Sequence, residues 1–385
     1  TRSTPSTWCA RWRKSTNGAA TVRASPASCL QPITGTFSIF CGGSDSMKGI
    51  RVIAAAIGVA AMGMGAASAQ SLADRNEVMF QQMMDVRGVS RAEINRIRQI
   101  FAASPNGWMG QGNPAVTRHP LTPEEAASRL GGSVASVQES YRNRTYERIC
   151  GERYMVPLYD PATESPSDAT VCADMFEYPN IPMVYPVVWV QANEAAMLCA
   201  AEGKRIGDAH EWEGAAAGQL LPPDYPFDRI RGMGASAAVN TMRSIHNAAY
   251  ADTRGTYSIG SWRAGVCATG SFKNGSCNGG SFTGCGSNTY PAGSFPECRS
   301  PLGVYDIDGN AAEHMNLPLS EDQMASRGST TLGVTEMKGS WFIWDTVRAH
   351  EHWARWRAPF WHGSRVMSAS SHRNYHLGFR CFRDI

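Results

Sequence analysis

The chain has 385 residues, 43% apolar and 18% charged, with a formal net charge of +3. This length and apolar content suffice for a large core and exclude a disordered polymer. A charge this small, with no stripe of lysine or arginine, excludes nucleic acid as a partner.

A secretion signal is expected in the interior of the chain, over residues 47–69. Met47 starts it, Lys48 and Arg51 form a short basic region, Ile50 to Ala61 an apolar stretch, and Ala67-Ser68-Ala69 a small-x-small cleavage site. The stretch is short and Ala-rich with no stop-transfer flank, so no transmembrane segment is expected once the signal is removed. Residues 1–46 are rich in Ser, Thr and Arg, with Asp45 as their one acid and no apolar periodicity. They read as an upstream or non-native, disordered segment, although a transit segment has the same composition. Residues 1–69 hold seven basic residues and one acid, so the 36 basic and 33 acidic residues become 29 and 32, near neutral. Three of the eleven cysteines (Cys9, Cys29, Cys41) go with them. The remaining eight, an even number without a CxxC pair, read as disulfides rather than metal thiolates. A bacterial periplasmic or secreted location is the expectation.

Residues 70–148 read as a helical N-terminal region. Val78, Met79, Met83 and Met84, then Ile94, Ile97 and Ile100, fall on one helical face, and Ser90 with Glu93 forms a capping box between two helices. The Met-rich stripe reads as packing rather than a cofactor box.

From Cys150 the texture changes to short apolar runs, frequent Gly and Pro, and many aromatics. Two helices are expected: Asn193 to Glu202, closed by Gly203, and His210 to Ala217, closed by Gly218, the second opened by an Asp208/Glu211 capping box. Residues 263–300 are dominated by Gly, Ser and Asn and contain Cys267, Cys277, Cys285 and Cys298, which disulfides would tie in one of three pairings. Cys150 and Cys172 form a local candidate pair.

Four segments carry a resemblance. They are Trp189 to Arg205, ending in Gly203-Lys204-Arg205; Asp208-Ala-His-Glu211-Trp212-Glu213; Tyr305-Asp306-Ile-Asp308-Gly309-Asn310-Ala311-Ala312-Glu313; and Lys338-Gly339-Ser340-Trp341 with Leu377-Gly378-Phe379-Arg380-Cys381. In this order, over about 195 residues, they resemble the formylglycine-generating (sulfatase-modifying factor) enzymes, and Cys172 to Asn180 extends the likeness upstream. The resemblance implies an α+β, C-type-lectin-like sulfatase-modifying factor fold with little regular secondary structure, here over 150–385. It also implies a Cys199–Cys381 disulfide, closing a loop of over 180 residues and contributing roughly 5 kcal/mol.

Asp306, Asp308 and Glu313, with Gly309 permitting a tight turn, offer the oxygen-rich set that Ca2+ prefers. An Asp-Gly turn with solvated acids needs no metal. By resemblance the structural calcium ligands are the Asp306 and Glu313 side chains and the Gly309 and Ala311 carbonyls. In the family two cysteines after the Gly-Ser bind copper and oxidise a substrate cysteine; the corresponding positions here are Ile343 and Arg348, neither a thiolate. Five of the nine histidines, His350, His352, His362, His372 and His376, follow instead. Ser340, His350, His352 and His376 are the candidate catalytic residues, and His350 and His352, on one face of a strand, are candidate ligands of a redox metal. Trp341, Trp344, Arg348, Trp353 and Arg355 are candidates for a ligand groove, with core packing as the competing account of the tryptophans.

Two readings follow. One is an exported oxidoreductase of this family with an undefined reaction that does not make formylglycine. The other is a non-catalytic, calcium-stabilised, lectin-like module binding a peptide, small molecule, glycan or envelope component.

Overall fold

The computed structural model describes residues 70–361 and 363–385. The expected signal over 47–69, the segment 1–46 and His362 lie outside the described residues.

The chain begins with α1 (Leu72–Gln82), whose Ser71/Asp74 capping box satisfies its first amides, and continues through a π turn to Gly88 at φ 81°. Next, α2 (Arg91–Ala103) starts at the predicted Ser90/Glu93 capping box. Met79, Phe80, Met83, Ile94 and Ile97 are buried. They share one apolar core with Val187, Leu198, Phe379 and the Cys199–Cys381 pair, so the N-terminal helices pack onto the body of the fold. Three short helices follow: α3 (Pro123–Arg129), α4 (Val134–Ser140) and α5 (Arg144–Cys150).

The body is α+β, built on two small sheets. Strands β1 (Met155–Leu158) and β2 (Val171–Asp174) precede α6 (Ala192–Ala201), β3 (Arg205–Ile206) and α7 (Ala209–Ala217). The expected capping box of α7 and its Gly218 terminator are both present. Then come α8 (Phe227–Ile230), α9 (Ala235–Ala249) and a hairpin of β4 (Thr256–Tyr257) and β5 (Gly260–Ser261). The last strands are β6 (Ala312–Leu317), β7 (Val334–Lys338), β8 (Leu377–Gly378) and β9 (Cys381–Asp384). One sheet has the order β1-β2-β9-β3, antiparallel throughout. The other has the order β7-β6-β8, with β6 and β8 parallel.

All eight cysteines among the described residues are paired. The expected Cys150–Cys172 and Cys199–Cys381 bonds form, and the 263–300 stretch is tied by Cys267–Cys298 and Cys277–Cys285. No helix among the described residues is long and apolar enough to cross a membrane.

Arg380, between β8 and β9, is fully buried and joins the sheets. Its guanidinium donates to both oxygens of Glu313 on β6 at 2.6–2.9 Å, to the Asp174 and Met175 carbonyls at the end of β2, and to the Tyr305 carbonyl. Replacing one member of such a pair leaves a buried charge uncompensated, at about 3–5 kcal/mol. Arg380→Ala is therefore expected to lower the urea-unfolding free energy by about that amount. Arg380→Lys should recover little of it, because an ammonium cannot reproduce the fork; full recovery by lysine would show that charge alone matters here.

Candidate functional site

The acidic loop before β6 is buried. Asp306 and Asn310 both hold φ at 53°, a left-handed conformation that a side chain tolerates only where surroundings enforce it, and Gly309 lies at φ 108°. The enforcing contacts are visible. Asn310 exchanges hydrogen bonds with the Tyr290 backbone, and Glu177 accepts from the Ala311 amide at 2.6 Å and the Asn310 side chain at 2.7 Å.

Two of the expected calcium ligands, the Asp306 and Glu313 side chains, sit in different hydrogen-bond environments. Both Glu313 oxygens are committed to Arg380, and Oε2 also accepts from the Trp212 indole at 2.7 Å. Glu313 in this geometry is a structural partner rather than a metal ligand. Asp306 accepts one bond, from the Gly293 amide, and its Oδ1 is buried with no partner. Three carboxylates, those of Glu177, Asp306 and Glu313, thus gather about one guanidinium. Burial pushes Asp306 up to about 7, with the Gly293 amide and Arg380 pulling it down and Glu313 adding to the rise. Glu177 is held well above the usual carboxylate range by burial and by Asp306 and Glu313.

Asp308 points elsewhere. Its Oδ2 accepts from the Ser258 amide (2.7 Å) and hydroxyl (2.6 Å), while Oδ1 lies 3.4 Å from Nε2 of His352. Asp308 and His352 are each 1% exposed, and Asp308 Oδ1 and both ring nitrogens of His352 have no hydrogen-bond partner. Three aromatic rings enclose the imidazole: Trp344 at 4.2 Å, Tyr257 at 4.8 Å and Trp262 at 5.2 Å. The indole nitrogens of Trp262 and Trp344 are likewise buried and unpartnered. Burial pushes Asp308 up to about 6 against the two Ser258 donors. It also drives His352 well below the ordinary imidazole range, with His350 and Arg348 adding to the fall.

The strand expected in the 340–376 segment does not form: among the described residues none lies between Gly339 and His376, so His350 and His352 do not share a strand face. His350 lies parallel to the Trp356 ring and holds the Glu351 carbonyl through Nδ1. No metal-ligating group assembles around the two histidines among the described residues. His376 packs edge-on against Trp341, and the Ser340 hydroxyl is buried without a partner. The five-residue ligand groove does not form, because Trp341, Trp344 and Trp353 are core residues. Arg355 is buried too, donating to the Gln219 carbonyl and lying over Tyr250. Arg348 is exposed and Ile343 is buried in an apolar cluster.

Sequence reasoning missed a second polar cluster. Glu213, Asp224 and His246 place potential ligand atoms within 4.8 Å of one another. His246 bonds Asp224 through Nδ1 at 2.5 Å and the Arg355 carbonyl through Nε2 at 2.7 Å. Glu213 accepts from Lys338 (2.7 Å) and Arg357 (3.1 Å), and Asp224 from Arg357 (2.6 Å). The donor types suit a divalent cation, but two fixed cations already sit on the carboxylates. The group therefore works as an ion-pair network.

Comparison with known proteins gives one family. Residues 171–385 match the sulfatase-modifying factor enzyme 1-like domain. Among solved structures, PvdO from Pseudomonas aeruginosa aligns at 17% identity, covering 60% of this chain and 91% of its own, with a TM-score of 0.27. CarF aligns at 14% identity, covering 60% and 97%, with a TM-score of 0.26. No curated protein matches the chain.

Proposed function

The chain belongs to the sulfatase-modifying factor enzyme 1-like family, and from that membership we propose an exported enzyme of the family whose chemistry is proton transfer at the Asp308–His352 pair instead of copper–thiol oxidation. The observation that carries this reading is the buried pair itself, with Nε2 and Oδ1 3.4 Å apart and three polar atoms unpartnered. A buried polar group left without a partner costs about 1–3 kcal/mol, so a fold that keeps several around one imidazole sustains a deficit that packing alone does not justify. Groups of this kind, desolvated and next to a specific partner, concentrate where proton transfer is performed.

Thiol chemistry has no support among the described residues. Every cysteine there is in a disulfide, Ile343 lies in the core and Arg348 in solvent. Export to a periplasm or beyond is part of the reading, and four disulfides support it because such bonds persist in oxidising compartments. Calcium on the Asp306 loop is also part of it. The support is an unpartnered Asp306 oxygen and an excess of carboxylates over cations. Oxygen donors would come from Asp306 and the Gly309 and Ala311 carbonyls, with Glu313 excluded by Arg380.

Stability reports on the pair without knowledge of the substrate. His352→Phe removes two unpartnered nitrogens inside an aromatic cage and should leave the unfolding free energy unchanged or raise it by about 1 kcal/mol, as should Asp308→Asn. A loss of more than about 2 kcal/mol in both variants would mark the pair as structural and sink the proton-transfer reading.

Given copper, oxygen and a cysteine-bearing sulfatase peptide, the purified protein is expected to yield no aldehyde when the products are trapped with a hydrazide probe. Catalytic aldehyde formation would restore the thiol mechanism.

Calcium makes a pH-dependent prediction. Asp306 binds its proton more tightly in the folded chain than in the unfolded one, so its contribution is present below about pH 4 and lost as pH rises through about 7. Calcium should offset that loss. A calcium-dependent rise in Tm over a chelator control is expected at pH 8, small at pH 5 and absent in Asp306→Asn; no rise at pH 8 would remove calcium from the site.

A further inference from the structure

A cleft of about 1100 Å3 lies between the N-terminal helices and the family domain. One wall comes from the end of α4 and the start of α5, with Tyr141, Arg142 and Tyr146; the facing wall comes from residues 258–263 and 296–305. The cleft is an asymmetric charge environment. Arg142 is held at 2.6 Å by Glu147 and at 3.1 Å by Glu139, so its charge is spent. Arg263 approaches Glu297 only to 3.9 Å, with both side chains more than half exposed, and such a pair contributes little. Arg299 is exposed, and no ion pair involves it among the described residues. Its backbone is fixed by a bridge to Tyr305, which lines the same wall. The site thus has a solvent-accessible guanidinium carried on a fixed stretch of backbone beside tyrosine rings, in a space slightly above the roughly 300–1,000 Å3 typical of small-ligand pockets.

The floor connects to the buried pair. Ser258 lines the cleft, and its amide and hydroxyl are the two donors to Asp308, whose other oxygen faces His352. One side chain therefore separates the cleft from the proton-transfer pair.

We infer that this cleft binds a carboxylate-bearing ligand of about disaccharide size, with Arg299 taking the carboxylate and the tyrosine wall the sugar ring, and that Ser258 presents the bound ligand to Asp308. Only the last clause rests on the function proposed above; binding stands on the cleft alone. The size and mixed polar and aromatic lining favour an acidic saccharide over a lipid, which would need a continuous apolar channel. Recognition of this kind is carried by the fork of an arginine against a carboxylate and by ring faces against sugar C–H groups.

The test is calorimetric titration of the purified chain with digalacturonate, with lactose and a glutamyl-glutamate dipeptide as comparison ligands. Digalacturonate is expected to bind saturably, to weaken with added salt, and to bind about tenfold more weakly to Arg299→Glu, a loss equivalent to about 1.4 kcal/mol. Arg299 is exposed, so the variant should fold, and an unchanged Tm confirms that it does. His352→Phe should leave the affinity within about twofold, which separates failure of the proton-transfer reading from failure of the cleft. Three outcomes overturn the inference: no saturable binding up to about 10 mM, equal binding of lactose or the dipeptide, or an Arg299→Glu affinity equal to that of the parent chain.

Discussion

The interaction on which the rest depends is the buried pair of Arg380 and Glu313. Neither sheet is large: one has four short strands and the other three. One guanidinium ties the sheets by satisfying a carboxylate on β6 and carbonyls at the end of β2 at once, beside the Asn316–Gly207 backbone bond between β6 and the end of β3. A planar fork with several fixed donors can do this from a single position, whereas a chain of separate hydrogen bonds would need several elements in register. The Cys199–Cys381 bond lies next to it in sequence and closes a 182-residue separation, so covalent and electrostatic ties converge on the same strand. That convergence has a chemical consequence. Once Glu313 belongs to Arg380, Glu177 and Asp306 share no second cation, and burial acts on them unopposed by an ion pair of their own.

Local features were legible in the sequence because their physics is local. The Ser90/Glu93 and Asp208/Glu211 boxes were readable at a three-residue spacing, and both cap helices as expected. The Cys150–Cys172 bond followed from nearness, and the Cys199–Cys381 bond from the resemblance. Helix α9 was missed although Ala238, Val239, Met242 and His246 lie at helical spacing with no glycine or proline between them. Partners distant in sequence were not legible at all. Nothing in the motif around Glu313 says that its charge is cancelled 67 residues later, and nothing near Glu213 announces Asp224, His246, Lys338 and Arg357. The tryptophans of 341–356 failed as a groove for a related reason. An aromatic cluster reads the same whether it lines a ligand or fills a core, and burial alone decides.

Two acid–histidine groups built on buried imidazoles make a useful contrast. Around His246 every charge has a fixed partner: Asp224 and the Arg355 carbonyl on the ring, Lys338 and Arg357 on the carboxylates. Such a network specifies one packing of α7, α9 and β7, and opening it would strand several charges together. Around His352 the opposite holds: one carboxylate at the edge of hydrogen-bond distance, and indole and imidazole nitrogens with nothing to bond. The sequence distance between the two histidines gives no hint of this difference. It arises because His246 on α9 meets Glu213 on α7 and Asp224, carboxylates that also hold Lys338 and Arg357, whereas Trp344 with Tyr257 and Trp262 closes aromatic rings over a single acid.

The N-terminal helices take on a double role in that setting. Through Met79, Phe80, Ile94 and Ile97 they complete the apolar core beneath α6, and so support the segment that carries Cys199. Through Tyr141 and Tyr146 they furnish one wall of the cleft that approaches Asp308 by way of Ser258. A region that merely shielded apolar surface would need no tyrosine hydroxyls or arginine at its edge. Tyr141 instead donates its hydroxyl to the Gly293 carbonyl, and the Gly293 amide in turn donates to Asp306. Two hydrogen bonds thereby join the wall of the cleft to the acidic loop.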